Sequence, residues 1–330
     1  MRQLVETPEG KEKADEFFAT EYSMNHLIGT LKKPVISLID GICMGGGVGL
    51  SVHGGYRIAT ENSVFAMPET AIGFFPDVGG SFFLSRLDGE LGTFLALTGA
   101  RLKGHDVYSA GIATHFIPSH RLERLVTGLA DSALTPLSLK SYLEAMSGEY
   151  EPFSLDPLRN AIDKAFSKNS ISEISTALKE IEIDGNPKEQ EFATKCLKDF
   201  AMYSPTSLEV TLQMLRLGKN LTFKQCLNME YNLSSEFVKD HDFAEGVLAK
   251  LVEKRLPKWK ESSAKNYFQG KKNLQFLSPT DFSEYPEKNG LPREKDIRSA
   301  LSKGKSMNEI YTMYPKMGIK HFAEACLKRK

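Results

Sequence analysis

Two groups of residues near the start of the chain have types and spacings that could do chemistry. Gly45-Gly46-Gly47 follows the apolar run Val35-Ile-Ser-Leu-Ile39, and together they read as strand, glycine turn and helix start. Glycines let a backbone approach a ligand closely, and the first amides of a helix lack an intrahelical acceptor and carry partial positive charge. An amide so placed can hold a developing oxyanion, an effect worth about 3 kcal/mol per donor. The same cluster serves equally well as a tight turn for close packing. The second group is a pair of carboxylates, Glu69 in Met-Pro-Glu-Thr and Asp77 in Phe-Pro-Asp-Val-Gly-Gly. Both fall in apolar, proline-bearing loops, where a carboxylate resists ionisation. Two acids near one another push their pKa values apart, so that one can donate a proton while the other acts as base or nucleophile. Plainer roles stand beside these. Asp77 directly precedes a predicted helix and would serve as its N-cap, and Glu69 would sit in a solvated loop.

Other familiar chemistries have no motif here. The chain has no GxxxxGKS or GxxxxGKT phosphate loop, no GxGxxG after a strand and no GxSxG elbow. Ser51 and His53 are two apart on a predicted helix and so point to different sides. The histidines show no HExxH or other metal spacing. Cys43, Cys196, Cys226 and Cys326 lie too far apart in sequence for a disulfide scaffold or a zinc ribbon.

The elements that must position these groups follow from periodicity. Ala14, Phe17, Phe18, Tyr22 and Leu27-Ile28 mark one helix over residues 9–30, closed by Lys33-Pro34. Val35–Ile39 reads as a buried strand, and the glycine cluster opens a helix to about His53. Tyr56–Thr60 and Val64–Met67 read as short strands around Glu61-Asn62. Gly79–Leu87 and Leu91–Thr98 read as helices, and Gly111–Ile117 as a last strand. This alternation predicts an α/β layered core. Beyond residue 118 the pattern is helical: Arg121–Ser132, Pro157–Phe166, Ile171–Glu182, Lys188–Tyr203, Ser207–Leu217 and Phe223–Val238. Residues 260–295 read as linker or surface coil, followed by a short charged tail. The expected division is a core over 1–135, a helical region over 136–260, and linker with tail over 261–330.

Composition narrows the class. The 330 residues are 41% hydrophobic and 25% charged, which is globular and excludes wholesale disorder. Lys+Arg and Asp+Glu number 42 each, so no global basic footprint for nucleic acid or anionic membrane exists. The most apolar stretch, Val35–Val52, carries Asp40 and a run of glycines, which argues against a membrane span. The first residues are rich in acid and lack an apolar core, unlike a signal or transit peptide.

The run from Ile39 to Gly80, IDGICMGGGVGLSVHGGYRIATENSVFAMPETAIGFFPDVGG, resembles the crotonase (enoyl-CoA hydratase/isomerase) superfamily, and within it the 3-hydroxyisobutyryl-CoA hydrolase branch. The resemblance continues through Leu97–Asp106 and Ala110–His115. It resumes at Ser204-Pro-Thr-Ser-Leu208, Met229-Glu-Tyr231, Asp242–Val247 and Pro257-Lys-Trp259. It implies a ClpP/crotonase-like ββα core with a helical C-terminal region. It gives the Gly46 amide the role of an oxyanion donor, Glu69 that of catalytic glutamate, Asp77 that of second acid, and Glu21 that of a substrate contact. Hydratases of the superfamily carry a second glutamate where this chain has Gly49, and glycine where it has Asp77. The implied reaction is therefore hydrolysis of a short hydroxyacyl-CoA thioester in valine breakdown, with Glu69 either attacking the thioester or activating water. Enoyl-CoA hydratase or isomerase chemistry and a non-catalytic, ribosome-associated crotonase-fold protein are the alternatives.

The resemblance implies no cofactor beyond the coenzyme A of the substrate, no metal, no nucleic-acid partner, no membrane span and a mitochondrial location; many relatives form homo-oligomers through C-terminal helices, but this chain's C-terminal region differs, which leaves its oligomeric state open. Where the family usually has arginine this chain has Leu248. The match also begins in mid-motif, as if an N-terminal part of the core preceded it, and the expectation for the sequence as it stands is weak or absent activity.

Overall fold

The computed structural model describes residues 7–131, 135–260, 263–286, 289–315 and 319–329. They form two compact units that interleave along the chain.

One unit comprises residues 31–65, residues 101–160 and the stretch from Tyr285 onward. Its strands are β1 (Ile36–Ile39), β2 (Ile42–Met44), β3 (Tyr56–Ala59), β4 (Val64–Ala66, whose last residue counts with the other unit), β5 (Leu102–Lys103) and β6 (His115–Phe116). They make two small sheets, β1-β3-β6 and β2-β4-β5. The first is parallel, with Ile36 opposite Tyr56 and Ile58 opposite His115. The strands expected around Glu61-Asn62 are present but enter different sheets, because β4 pairs antiparallel with β5 instead of returning onto β3. The last strand is shorter than Gly111–Ile117. Only His115 and Phe116 pair, since Val107–Ala113 close onto their own turn through Ala113 N–H to the Val107 carbonyl. β2 and β5 were not legible from periodicity, being too short to show one.

The helices Leu122–Asp131 and Pro136–Met146 place Leu125, Leu139, Leu143 and Met146 on Tyr56, Ile58 and Ile117. Thr135 and Ser138 form a capping box at the start of the second. Residues 294–328, expected as a charged tail, instead hold three helices, Glu294–Ser302, Met307–Met313 and Ile319–Lys328. They enclose Ile297, Ile310, Ile319, Phe322 and Cys326 in a core of their own. Arg329 ties them down, pairing with Glu294 at 3.0 Å and with Asp156.

The other unit comprises the Pro8–Thr30 helix, residues 66–100 and residues 161–284. Its helices fall close to the sequence reading: Leu91–Thr98, Arg159–Phe166, Ile171–Asp184, Pro187–Met202, Pro205–Gly218 and Phe223–Phe237. Polar caps explain their starts. Asn186 with Glu189 and Thr222 with Gln225 form capping boxes, and Ser204 accepts from Ser207 N–H. Phenylalanines dominate the core. Phe74 stacks on Phe18 at 5.6 Å and meets Phe243 at 4.7 Å, while Phe75 and Tyr267 close on Phe237. The stretch expected as linker is largely irregular but packed, with Tyr267 and Leu274 buried and Phe223 N–H bonded to the Phe282 carbonyl. Residues 132, 261–262, 287–288, 316–318 and 330, which fall in the expected helix, linker and tail, lie outside the described residues. All four cysteines are buried free thiols.

Candidate active site

Glu69 starts a short 3-10 turn, Glu69–Ile72, directly after Pro68. The turn is pinned by two glycines. Gly73 closes it in the left-handed region (φ 72°), and a Cβ there would lie 2.2 Å from the Asp242 carbonyl oxygen. A Cβ at Gly246 would lie 2.1 Å from the carbonyl oxygen of Ile72. The turn and the His241–Gly246 helix thus approach backbone to backbone, which fixes where Glu69 can point. Glu69 is 7% exposed, and its Oε2 has no hydrogen-bond partner. Burial raises its pKa to about 8. The solvated-loop role is therefore excluded for Glu69 in this structure.

Asp77 is buried as well, and Tyr22 donates its phenol to Oδ2 at 2.8 Å. Its pKa is raised well above the ordinary value by burial first, then by the charges of Glu69 and Glu21, against the lowering effect of the Tyr22 bond. It does not cap the helix that follows. That helix, Gly80–Phe83, has Gly79 at its N-cap with no side-chain cap bond. The capping carboxylate comes from elsewhere in the unit. Glu230, on the Phe223–Phe237 helix, accepts from Gly79 N–H at 2.7 Å, Ser81 N–H at 2.8 Å and the Ser81 hydroxyl at 2.5 Å. These bonds hold a turn whose two residues Val78 (φ 50°) and Gly79 (φ 87°) are both left-handed, a conformation a β-branched residue rarely adopts. Glu230 carries no role in the sequence reading. Its only signal was its place in Met229-Glu-Tyr231, which gives no clue that it anchors a loop so distant in sequence. Burial raises its pKa to about 7, opposed by the three bonds.

Glu21 sits on the Pro8–Thr30 helix next to Tyr22, and burial raises its pKa. Four residues on, Asn25 is fully buried with both amide atoms unbonded. Glu21, Glu69, Asp77 and Glu230 thus form one electrostatic cluster, since Asp77 feels the charges of the other three. Gly46 belongs to the other unit. There it is the first residue of the Gly46–Ser51 helix, preceded by Gly45 at φ 53° and followed by a Val48 N–H bonded to the Gly45 carbonyl. Gly49, the position of the second hydratase glutamate, is buried in this helix.

Among the described residues no group of three or more His, Cys, Asp or Glu side chains could hold a metal ion, and no helix is long and apolar enough to cross a membrane. What the cluster can do is keep carboxyl groups protonated near neutral pH and still offer one of them, Glu69, with an unengaged oxygen. That is the equipment of a general base or nucleophile beside a proton donor.

The Enoyl-CoA hydratase/isomerase family model matches residues 1–273. The mS47 protein of the small ribosomal subunit from Neurospora crassa is 40% identical, covering 99% of this chain and 72% of that protein. The mitochondrial 3-hydroxyisobutyryl-CoA hydrolase of Gallus gallus is 48% identical, covering 75% of this chain and 64% of that one, so the chain spans under two thirds of its length. Among solved structures, a carnitinyl-CoA dehydratase from Mycobacterium thermoresistibile superimposes with a TM-score of 0.73 at 33% identity, covering 84% of this chain and 79% of the other.

Proposed function

Because the chain belongs to the enoyl-CoA hydratase/isomerase family and has its crotonase fold, we propose that it hydrolyses the thioester of 3-hydroxyisobutyryl-CoA or a close short hydroxyacyl-CoA. The observation that carries the proposal is the buried Glu69 with its unengaged Oε2 beside a second raised acid, Asp77. In the proposed reaction Glu69, once ionised, either attacks the thioester carbonyl, forming a mixed anhydride that water then opens to the free acid and Glu69, or takes a proton from the water that attacks the thioester directly. The C–S bond breaks, and the thiolate of coenzyme A leaves with a proton. Asp77, which accepts from Tyr22 at Oδ2, keeps Oδ1 for a proton of its own. It either supplies that proton or orients the substrate hydroxyl. The amide of Gly46 keeps the oxyanion role that the resemblance assigns it. Addition of water to an enoyl double bond is disfavoured, since residue 49 is glycine and supplies no second acid. The location that goes with this reading is the mitochondrion, and the pathway valine breakdown.

The test is release of free thiol from 3-hydroxyisobutyryl-CoA by the wild-type chain and by Glu69→Gln. Thiol release that the substitution abolishes supports the reading. A modified acyl chain with coenzyme A retained, or undiminished thiol release by Glu69→Gln, overturns it.

A second reading rests on a separate observation. The family model ends at residue 273, whereas the alignment to the ribosomal relative takes in 99% of the chain and so includes the three C-terminal helices. Those helices build their own core around Ile297 and Phe322, as a partner-binding addition would. On this reading the protein associates with the mitochondrial small ribosomal subunit, with or without turnover. Co-sedimentation with small subunits that is lost on removing residues 289–330 supports it, and free migration at low salt argues against it.

A further inference from the structure

The unit that holds residues 161–284 carries a charge asymmetry that the chain as a whole does not. The full sequence is neutral, yet residues 250–272 contain eight Lys or Arg and two Glu. Three large apolar side chains are exposed in the same stretch, Leu251 at 55%, Val252 at 62% and Leu256 at 72%. None of these residues belongs to the acid cluster of the candidate active site.

The backbone that presents them is fixed by the fold. Val247–Glu253 is a seven-residue π-helical turn, closed by Lys254 in the left-handed region (φ 54°) and by Arg255 N–H to the Ala249 carbonyl at 2.9 Å. Arg255 reaches Glu245 at 2.6 Å and Glu253 at 2.6 Å, so one guanidinium takes up both carboxylates. Beyond it the chain is pinned at three points. Lys258 N–H donates to Glu245 at 2.7 Å, the Trp259 indole to the Met202 carbonyl at 2.9 Å, and Lys260 N–H to Asp242 at 2.8 Å. The side chains consequently alternate. Leu256, Lys258 and Lys260 are exposed, whereas Pro257 and Trp259 between them are half-buried. Lys254, Lys258 and Lys260 have no ion-pair partner among the described residues.

We propose that residues 250–260 form a docking surface for an anionic lipid membrane, with Leu251, Val252 and Leu256 entering the interface and Lys254, Lys258 and Lys260 meeting the lipid phosphates. Exposed aliphatic side chains gain free energy only where they leave water, and lysine stems lie along apolar surface while their ammonium groups stay at headgroup level. A membrane with negative headgroups satisfies both sets at once. A nucleic acid would satisfy the lysines and leave the three aliphatic side chains in water. The indole that could stack on a base is also turned inward and tied to Met202. Among the described residues no helix is long and apolar enough to cross a membrane, so this contact is peripheral and reversible.

The experiment is flotation of the full chain with vesicles of equal parts phosphatidylcholine and phosphatidylglycerol, against vesicles of phosphatidylcholine alone. The expected result is binding to the anionic vesicles at least about tenfold tighter than to the neutral ones, weakening as salt is raised. Lys258→Gln combined with Lys260→Gln should weaken it by about tenfold or more, at about fivefold per lysine. Leu251→Ser combined with Leu256→Ser should also weaken it by about tenfold or more. Melting curves show that each variant is folded. No flotation with anionic vesicles, equal flotation with neutral ones, or full binding by the lysine pair or the leucine pair overturns the proposal. Binding of poly(U) without flotation assigns the surface to nucleic acid and overturns it too. If a variant fails to fold, the anionic and neutral vesicles with the wild type decide it.

Discussion

Glu69 should make the protein less stable as it becomes competent for chemistry, and replacing it by glutamine should reveal the cost. In the folded state its carboxyl has a pKa of about 8 because it is buried, against an ordinary value of 4.5 in an unfolded chain. A folded pKa raised above the unfolded one means that the folded state binds the proton more tightly. The contribution is then fully favourable below pH 4.5 and is lost as pH rises through 8. The separation of about 3.5 pH units corresponds to about 5 kcal/mol at 1.36 kcal/mol per unit. Glu69→Gln keeps the shape and cannot ionise. In urea or guanidinium unfolding at pH 5, 6, 7, 8 and 9, the stability of the variant minus that of the wild type should therefore grow with pH. The slope should be about 1.4 kcal/mol per pH unit between 5 and 7, flattening above 8. Thiol release by the wild type should rise over the same interval in which its stability falls. A stability difference that stays flat from pH 5 to 9, or that shrinks, refutes the argument, because it would mean that Glu69 ionises as readily folded as unfolded.

Three further substitutions test the parts around it. Glu230→Ala strands the Gly79 and Ser81 amides in a buried site, so unfolding should become easier by about 3–5 kcal/mol, measured as a fall in the denaturant midpoint. Glu230→Gln should recover only part of it, because its amide NH₂ would face one of the N–H donors. Gly46→Pro removes the proposed oxyanion amide at the first helical position, where proline is tolerated. Thiol release should drop by about 10²–10³ with little change in melting temperature. Asn25→Leu removes two unbonded buried polar atoms, so stability should hold or rise by about 1–3 kcal/mol. If Asn25 contacts the substrate, KM for 3-hydroxyisobutyryl-CoA should rise in the same variant.

Much of the helical framework was readable from sequence because its signals are local. Apolar spacing at three to four residues marks the Pro8–Thr30 and Phe223–Phe237 helices, and Asn186, Ser204 and Thr222 mark helix starts. The short strands were harder. β2 and β5 have three and two residues, too few for alternation to show, and whether β4 pairs with β3 or β5 depends on residues far along the chain. The C-terminal helices were missed because charge hides them. The Glu294–Ser302 and Ile319–Lys328 helices bury only a narrow stripe while charged and polar residues of both signs make up most of the rest. At the site, residue types pointed to Glu69 and Asp77, but their plainer roles could be set aside only with burial and partners in hand. Asp77 looked like an N-cap by position, yet Glu230 does that work from another helix.

That exchange of roles has a chemical consequence. A carboxylate that capped the Gly80–Phe83 helix would be ionised and fixed by amide donors, and so a poor proton donor. With Glu230 taking the amides, Asp77 is left a single stabilising donor, the Tyr22 phenol, which burial and the charges of Glu69 and Glu21 outweigh, so its protonated form is favoured. Ionisation of Glu69 is opposed by burial, whereas ionisation of Asp77 is opposed by burial and by the Glu69 charge besides. Once Glu69 has lost its proton, Asp77 holds its own more tightly. The cluster therefore sorts one base and one acid from two similar side chains, in an order set by which carboxyl group Glu230 relieves of structural duty.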